Sequence, residues 1–326
     1  MEIVGFVTSI PVEIVFAAGC KPVDLNNVFI TAENSSELII LAENYGFPRN
    51  YCSWIKGTFQ AASSCGIRKI IAVSEGECTN NERMIELLCS QGVESIPFSY
   101  PGSRKSDDLC KEIEKLMLAF SVLSEDVHKV KNDLDRIREK LFFIDESSYT
   151  DLNVSGFENY IWLISSSDFG GDYYAFEKKL DVFIGELSRR EKNIYKNSIK
   201  IGLLGIPPIT NNLFESIESM GGIIVYNEMP RQFAMPGFKQ GLIEQYRNFT
   251  YPYGQDIRMQ DILAAVKTRQ LDGVIHYVQS FCPRQLDDIS LRKEIGVPFL
   301  TLEGDRPGVL DERNRTRLEA FFERWN

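Results

Sequence analysis

Short apolar runs alternate with helix-patterned segments twice along this chain, and that alternation constrains the fold more than any other feature. In the N-terminal part, IVGFV (3–7), NVFIT (27–31), KIIAVS (69–74) and ESIPF (94–98) read as strands. PVEIVFAAG (11–19), SSELIILAENYG (35–46), SWIKGTFQAASSCG (53–66) and NNERMIELLCSQG (80–92) read as helices, each closed by glycine. The C-terminal part repeats the plan. Its strands are KIGLLGI (200–206), GIIVYN (222–227), DGVIHYVQ (272–279) and VPFLTL (297–302), and its helices 211–221, 256–270, 283–296 and 311–325. Short buried strands spaced by helices require parallel βαβ units. The expected fold class is therefore α/β: two doubly wound, mainly parallel-sheet domains with a helical segment between them. The expected boundaries are 1–103, 104–196 and 197–326. The middle segment is rich in Lys, Glu, Asp and Leu at helical spacing, and its charges read as a solvated face.

The bulk numbers exclude several functions. A net charge of −10 with no basic block argues against a nucleic-acid partner. No apolar stretch approaches a membrane span, and the N-terminal stretch carries Glu2 and Glu13 without a basic start, so a cytoplasmic protein is expected. There is no Gly-rich phosphate loop; GIPPIT (205–210) is too short and proline-rich for one. Only two histidines are present, which leaves almost no material for a Ser/His/Asp triad or a His-rich zinc site. His128 reads as solvated, and His276 as a satisfied core residue within its strand.

Seven cysteines, an odd number, do not suggest a disulfide framework. Three of them fall at helix starts. Cys282 ends an apolar strand and precedes Pro283, which suits the first turn of a helix. Cys78 lies between the third strand and its helix, beside a Thr79/Glu82 pair of capping-box form. Cys52 precedes a helix in PRNYCSWIKG. Helix N-termini favour anions, so a thiolate is expected there over a thiol; the competing reading is a plain buried cysteine. Cys20, Cys65, Cys89 and Cys110 read as bystanders. If the two sheets face each other, the three helix-start cysteines converge, and three thiolates without histidine suit iron–sulfur chemistry better than zinc.

The stretches TSIPVEIVFAAGCKPVDLNN, YCSWIKG, EGECTNN, DGVIHYVQSFCPRQLDD and LEGDRPGVLDERNRTRLEAFFE resemble the 2-hydroxyacyl-CoA dehydratase family. That family includes dehydratase subunits, benzoyl-CoA reductase subunits and double-cubane cluster proteins. The resemblance implies a [4Fe–4S] cluster held by cysteines matching Cys52, Cys78 and Cys282, with one iron lacking a cysteine ligand. It also implies an ATP-hydrolysing iron–sulfur activator protein that supplies one low-potential electron. In the dehydratases that electron turns a 2-hydroxyacyl-CoA into a ketyl radical, which expels the hydroxyl on C2 and acidifies the C3 proton. Thr8 and Ser9 are implied as hydrogen-bonding groups to a substrate or fourth cluster ligand, and Glu13 as a proton carrier. For the two hydroxyls, helix capping before Pro11 is the alternative.

At this length the chain resembles the compact branch associated with double-cubane proteins, thought to reduce small molecules on an [8Fe–9S] cluster. Such a cluster needs about six thiolates, more than the three matched positions supply from one chain. The acidic SEGE and EGDR stretches weigh mildly against an acyl-CoA, although Arg49, Arg231, Arg284 and Arg306 could offset them. The family further implies a dimer. Two other functions remain open: a non-catalytic iron–sulfur electron-storage subunit, and a cluster-free two-lobed small-molecule binding protein.

Overall fold

The computed structural model describes residues 1–280 and 282–325. It divides into two compact units, one of 1–140, 165–179 and 233–254, the other of 141–164, 180–232 and 255–326. Each is built on a four-stranded, all-parallel sheet with helices, as the alternation requires.

In the first unit the strands are β1 (Ile3–Phe6), β2 (Lys21–Asp24), β3 (Lys69–Val73) and β4 (Glu94–Phe98), in spatial order β2-β1-β3-β4. The expected strand at 27–31 is a helix, Leu25–Thr31, and the strand lies just before it. Asp24 decides the matter: its carboxylate accepts the Asn26 N–H and caps the helix, which overrides the β-branched character of NVFIT. Pro22 and Pro97 are tolerated because β2 and β4 are the two edge strands. Val4, Phe6, Ile70, Ile71 and Phe98 are buried in the core of this unit.

In the second unit the strands are β5 (Ile199–Gly205), β6 (Gly222–Asn227), β7 (Gly273–Val278) and β8 (Phe299–Glu303), in order β6-β5-β7-β8. Every residue of β6 and β7 is buried, as expected of strands covered on both faces. Leu204, Ile223, Val225, Ile262, Val274 and Leu291 make the core.

Both sheets thus carry one strand order, with the direction of winding reversing between the first and third strands. That switch point, at the carboxyl ends of the strands, is where open α/β sheets bind ligands. The middle of the chain contains the expected helices Ser106–Ala119, Ser124–Ser147 and Tyr173–Leu187, and also Gly156–Ile164, which its pattern did not announce. The short helices Glu228–Phe233 and Leu242–Arg247 were likewise unannounced. The charges of the middle are not all solvated: Lys131, Arg138 and Asp145 are buried, each paired. Among the described residues no helix is long and apolar enough to cross a membrane.

Candidate functional site

In the first unit, the switch point lies between β1 and β3. The chain leaves β1 through Thr8, Ser9 and Ile10 into the helix Val12–Ala17. It leaves β3 through Ser74–Glu77 to Cys78, the N-cap of the helix Thr79–Ser90. Cys52 is the N-cap of the helix Ser53–Ser64, which leads back into β3. Both cysteines therefore stand at helix starts, as their sequence positions suggested.

The expected capping box does not form, because Cys78, not Thr79, is the cap, and it makes no side-chain cap bond. Sulfur is a weak acceptor. The backbone N–H groups of Asn81 and Asn80 still pull the Cys78 thiol down, but burial and the Glu77 carboxylate push it up, to about 12. Cys52 adds to the upward push on Cys78, so the two sulfurs are electrostatic neighbours. Tyr51 lies beside both: burial, then Cys78 and Cys52, raise its phenol, which donates to Asn80 Oδ1 at 3.0 Å. At Cys78 the thiol is therefore favoured over the expected thiolate. Burial and the neighbouring carboxylate outweigh the pull of the helix terminus there.

The loop to Cys78 is shaped by Gly76. Its φ is +95°, and a Cβ there would stand 2.6 Å from Pro252 Cβ and 2.9 Å from Tyr100 Cβ. Glu77 Oε1 accepts from the Cys78 N–H at 2.7 Å and from Tyr251 Oη at 3.1 Å.

Thr8 and Ser9 are both 3 % exposed, and neither hydroxyl has a hydrogen-bond partner among the described residues. They do not cap the following helix, whose N-cap is Pro11 without a side-chain bond. The capping alternative is thereby set aside. Their backbone is firmly held: Tyr100 Oη donates to Ser9 O at 2.6 Å, and Tyr246 Oη reaches Ile10 O at 2.8 Å. Trp54 Nε1 and Asn81 Oδ1, each within three residues of a helix-start cysteine, are two further buried polar atoms without partners.

Glu13 is fully buried and heavily engaged. Its carboxylate takes Arg138 Nη1 at 2.8 Å, Gln245 Nε2 at 2.8 Å and Tyr246 Oη at 2.7 Å. Burial pushes its pKa up, but Arg138 and these donors outweigh burial and hold it below the usual carboxylate range. Tyr51, Tyr100, Arg138 and Tyr246 were not singled out from sequence. Tyr51 alone carried a local signal, as the neighbour of Cys52.

In the second unit, Cys282 is the N-cap of the 3₁₀ segment Pro283–Asp287, with Pro283 in its first turn and the helix Asp288–Glu294 following. This is the position, after the third strand, that Cys78 holds in the first unit. Burial raises its thiol against the Arg284 N–H and the Arg284 side chain. His276 is fully buried on β7 and hydrogen-bonded, and His128 is exposed, as their patterns suggested. Cys20 is buried; Cys65 is a helix C-cap; Cys89 and Cys110 lie within helices. Among the described residues no three His, Cys, Asp or Glu side chains are grouped to hold a single metal ion.

Residues 7–324 match the family described as 2-hydroxyglutaryl-CoA dehydratase, D-component. No curated protein matches the chain. With a match across nearly its whole length, on a fold of two parallel-sheet α/β units, the chain belongs to the 2-hydroxyglutaryl-CoA dehydratase D-component family.

Proposed function

We propose that this chain is the iron–sulfur component of a radical 2-hydroxyacyl-CoA dehydratase, charged with a low-potential electron by an ATP-hydrolysing activator protein. Cys52, Cys78 and Cys282 supply the thiolates. The observation that carries this reading is the first unit's switch point. Two neighbouring helix-start thiols flank β3 in the chain, and β1, which pairs with β3, runs on into two buried, unpartnered hydroxyls. Burying such hydroxyls costs about 1–3 kcal/mol each, a cost that makes sense if a ligand supplies the missing partners. The donor set fits a cluster: it is all sulfur, without histidine, and in a cubane each cysteine binds its own iron, so the thiols need not converge on one point.

Bound there, the cluster supplies one-electron chemistry and an iron without a cysteine ligand that can act as a Lewis acid. The chain's own residues do the rest. Thr8 and Ser9 donate to the oxygen atoms of the substrate, from a backbone that Tyr100 and Tyr246 hold still. The N–H groups of Asn80 and Asn81 face the Cys78 sulfur and favour its ionised form. Glu13, ionised and fully occupied by donors, serves as the anchor of the Thr8–Ile10 loop, and moves a proton only if Arg138 releases it.

A second reading, ATP-driven reduction of a small molecule, is favoured by one observation. The loop into Cys78 carries Glu75 and Glu77, an acidic entry poorly suited to the phosphates of CoA. Anaerobic purification tests the common core. Roughly four irons per chain support one cubane, roughly eight the double form, and colourless protein rejects both. Cys52→Ser, Cys78→Ser and Cys282→Ser are each expected to lower iron content, whereas Cys110→Ser is not. Adding activator, ATP and reductant, then assaying acyl-CoA dehydration against small-molecule reduction, separates the two readings.

A further inference from the structure

The second unit holds a buried charge network that converges on the segment after Cys282. Glu228 is 1 % exposed and accepts the Gly205 N–H at the end of β5 (2.8 Å). Gly205 itself is irreplaceable: its φ is +89°, and a Cβ would meet Tyr277 O at 2.2 Å. Arg258, 2 % exposed on the helix Gln255–Thr268, forks onto Glu228 through Nε (2.5 Å) and Nη2 (2.8 Å). Its remaining nitrogen, Nη1, donates to Asp287 Oδ2 at 2.5 Å.

His276 continues the network. Its Nδ1 is 2.5 Å from Asp288 Oδ1, and its Nε2 is 3.5 Å from Arg258 Nη2. An ionised carboxylate only accepts, so Nδ1 donates to Asp288. The other Asp288 oxygen accepts from Thr301 Oγ1 on β8. Asp287 is thus tied through Arg258 and Glu228 to the end of β5, and Asp288 directly to His276 of β7 and Thr301 of β8.

We propose that Arg258 is a positioning residue for Cys282, holding the segment from Cys282 to Asp288 so that the sulfur stays at the end of β7. Buried ion pairs contribute little net stability against an apolar alternative. What this one supplies is placement: two successive aspartates, five and six residues past the cysteine, are fixed by donors from two strands, β7 and β8, and from the helix Gln255–Thr268. The role in holding iron rests on the reading of Cys282 as a cluster ligand; the tether itself does not.

Asp287→Asn is the sharpest test, because it keeps the Arg258–Glu228 fork and weakens only the link to the Cys282 segment, by removing its charge and leaving a neutral acceptor. In the full iron-free chain, alkylation read by peptide mass spectrometry is expected to rise about tenfold at Cys282, with Cys89 and Cys110 unchanged. Asp287→Glu is expected to restore much of the protection. Arg258→Gln is expected to raise Cys282 labelling further while lowering the melting temperature, so its result counts only beside Asp287→Asn. An unchanged Cys282 rate in Asp287→Asn, or an equal rise at all three cysteines, overturns the proposal. In iron-loaded protein the same variant is expected to lose iron to a chelator severalfold faster. Wild-type protein that binds no iron would sink the cluster reading while leaving the labelling result standing, so the two failures are told apart.

Discussion

Removing a hydroxyl from the first switch point is expected to stabilise the protein while disabling it. Thr8 Oγ1 and Ser9 Oγ are buried without partners, and neither caps the helix that follows. A buried hydroxyl with no hydrogen bond carries an uncompensated desolvation cost of about 1–3 kcal/mol. Thr8→Val keeps the shape and removes that cost, as does Ser9→Ala with the loss of one small atom. The loop will not drift, because Tyr100 and Tyr246 hold the carbonyls of Ser9 and Ile10. Each variant is therefore expected to gain about 1 kcal/mol in the first unit, a rise of about 2–4 °C in its melting temperature for a domain of that size. Calorimetry of the full iron-free chain measures this. The same variants, iron-loaded and supplied with activator, should lose about ten- to a hundredfold in turnover, the worth of one hydrogen bond to a group that gains charge. Two results refute the reasoning. A loss of 1 kcal/mol or more in both variants would mean the hydroxyls hold the fold together. A gain in stability with full turnover would mean that no ligand uses them.

Glu13→Gln breaks a buried pair and leaves Arg138 short of its counter-charge, so a loss of about 3–5 kcal/mol is expected in urea unfolding. The folded pKa of Glu13 lies below its ordinary 4.5, so its contribution is complete above that value and fades as pH falls through the folded pKa; the variant's acid limb should be flatter. Asp24 has the opposite sign: burial and then the Asp168 carboxylate raise it to about 7. The folded protein therefore loses stability as pH rises from about 4 to about 7, by a few kcal/mol, and Asp24→Asn should remove that slope in melts taken across the interval. Gly76→Ala forces a Cβ against Pro252 and Tyr100 at a left-handed φ and is expected to cost at least about 1–2 kcal/mol, with faster alkylation of Cys78; protein of unchanged stability would contradict the packing described for that loop.

What could be read from the sequence was local, and what was missed was tertiary. The helix-start cysteines were legible because Pro283 and the polar turn after Cys78 are short-range signals. The second strand was misplaced for a reason of the same range, since Asp24 followed by Leu-Asn-Asn is an N-cap pattern that a β-branched run obscured. Arg138 was beyond reach: its helix reads as a solvated charged face, and only the fold brings Glu13 to it. The same holds for Arg258, whose partners Glu228, His276 and Asp287 come from three separate elements. The raised thiols were missed because an N-cap position predicts the pull of the N–H groups but not the depth of burial that outweighs it.

The two units reach one arrangement by different means. Each places a cysteine at the N-cap after its third strand, and each sets a buried Glu–Arg pair near the carboxyl edge of its sheet: Glu13 with Arg138 in the first, Glu228 with Arg258 in the second. In the first, the pair anchors the Thr8–Ile10 loop through Tyr246; in the second, it anchors the segment after Cys282 through Asp287. An apolar core of the same volume would have served stability as well or better. Apolar contacts are non-directional, however, and tolerate small slips, whereas a forked guanidinium sets distance and angle together. Ligands that must meet a substrate and a metal centre within a few tenths of an ångström need the second kind of restraint. On the proposed reading, each buried pair is therefore a positioning element for the loop or segment of its own unit that carries the hydroxyls or the sulfur.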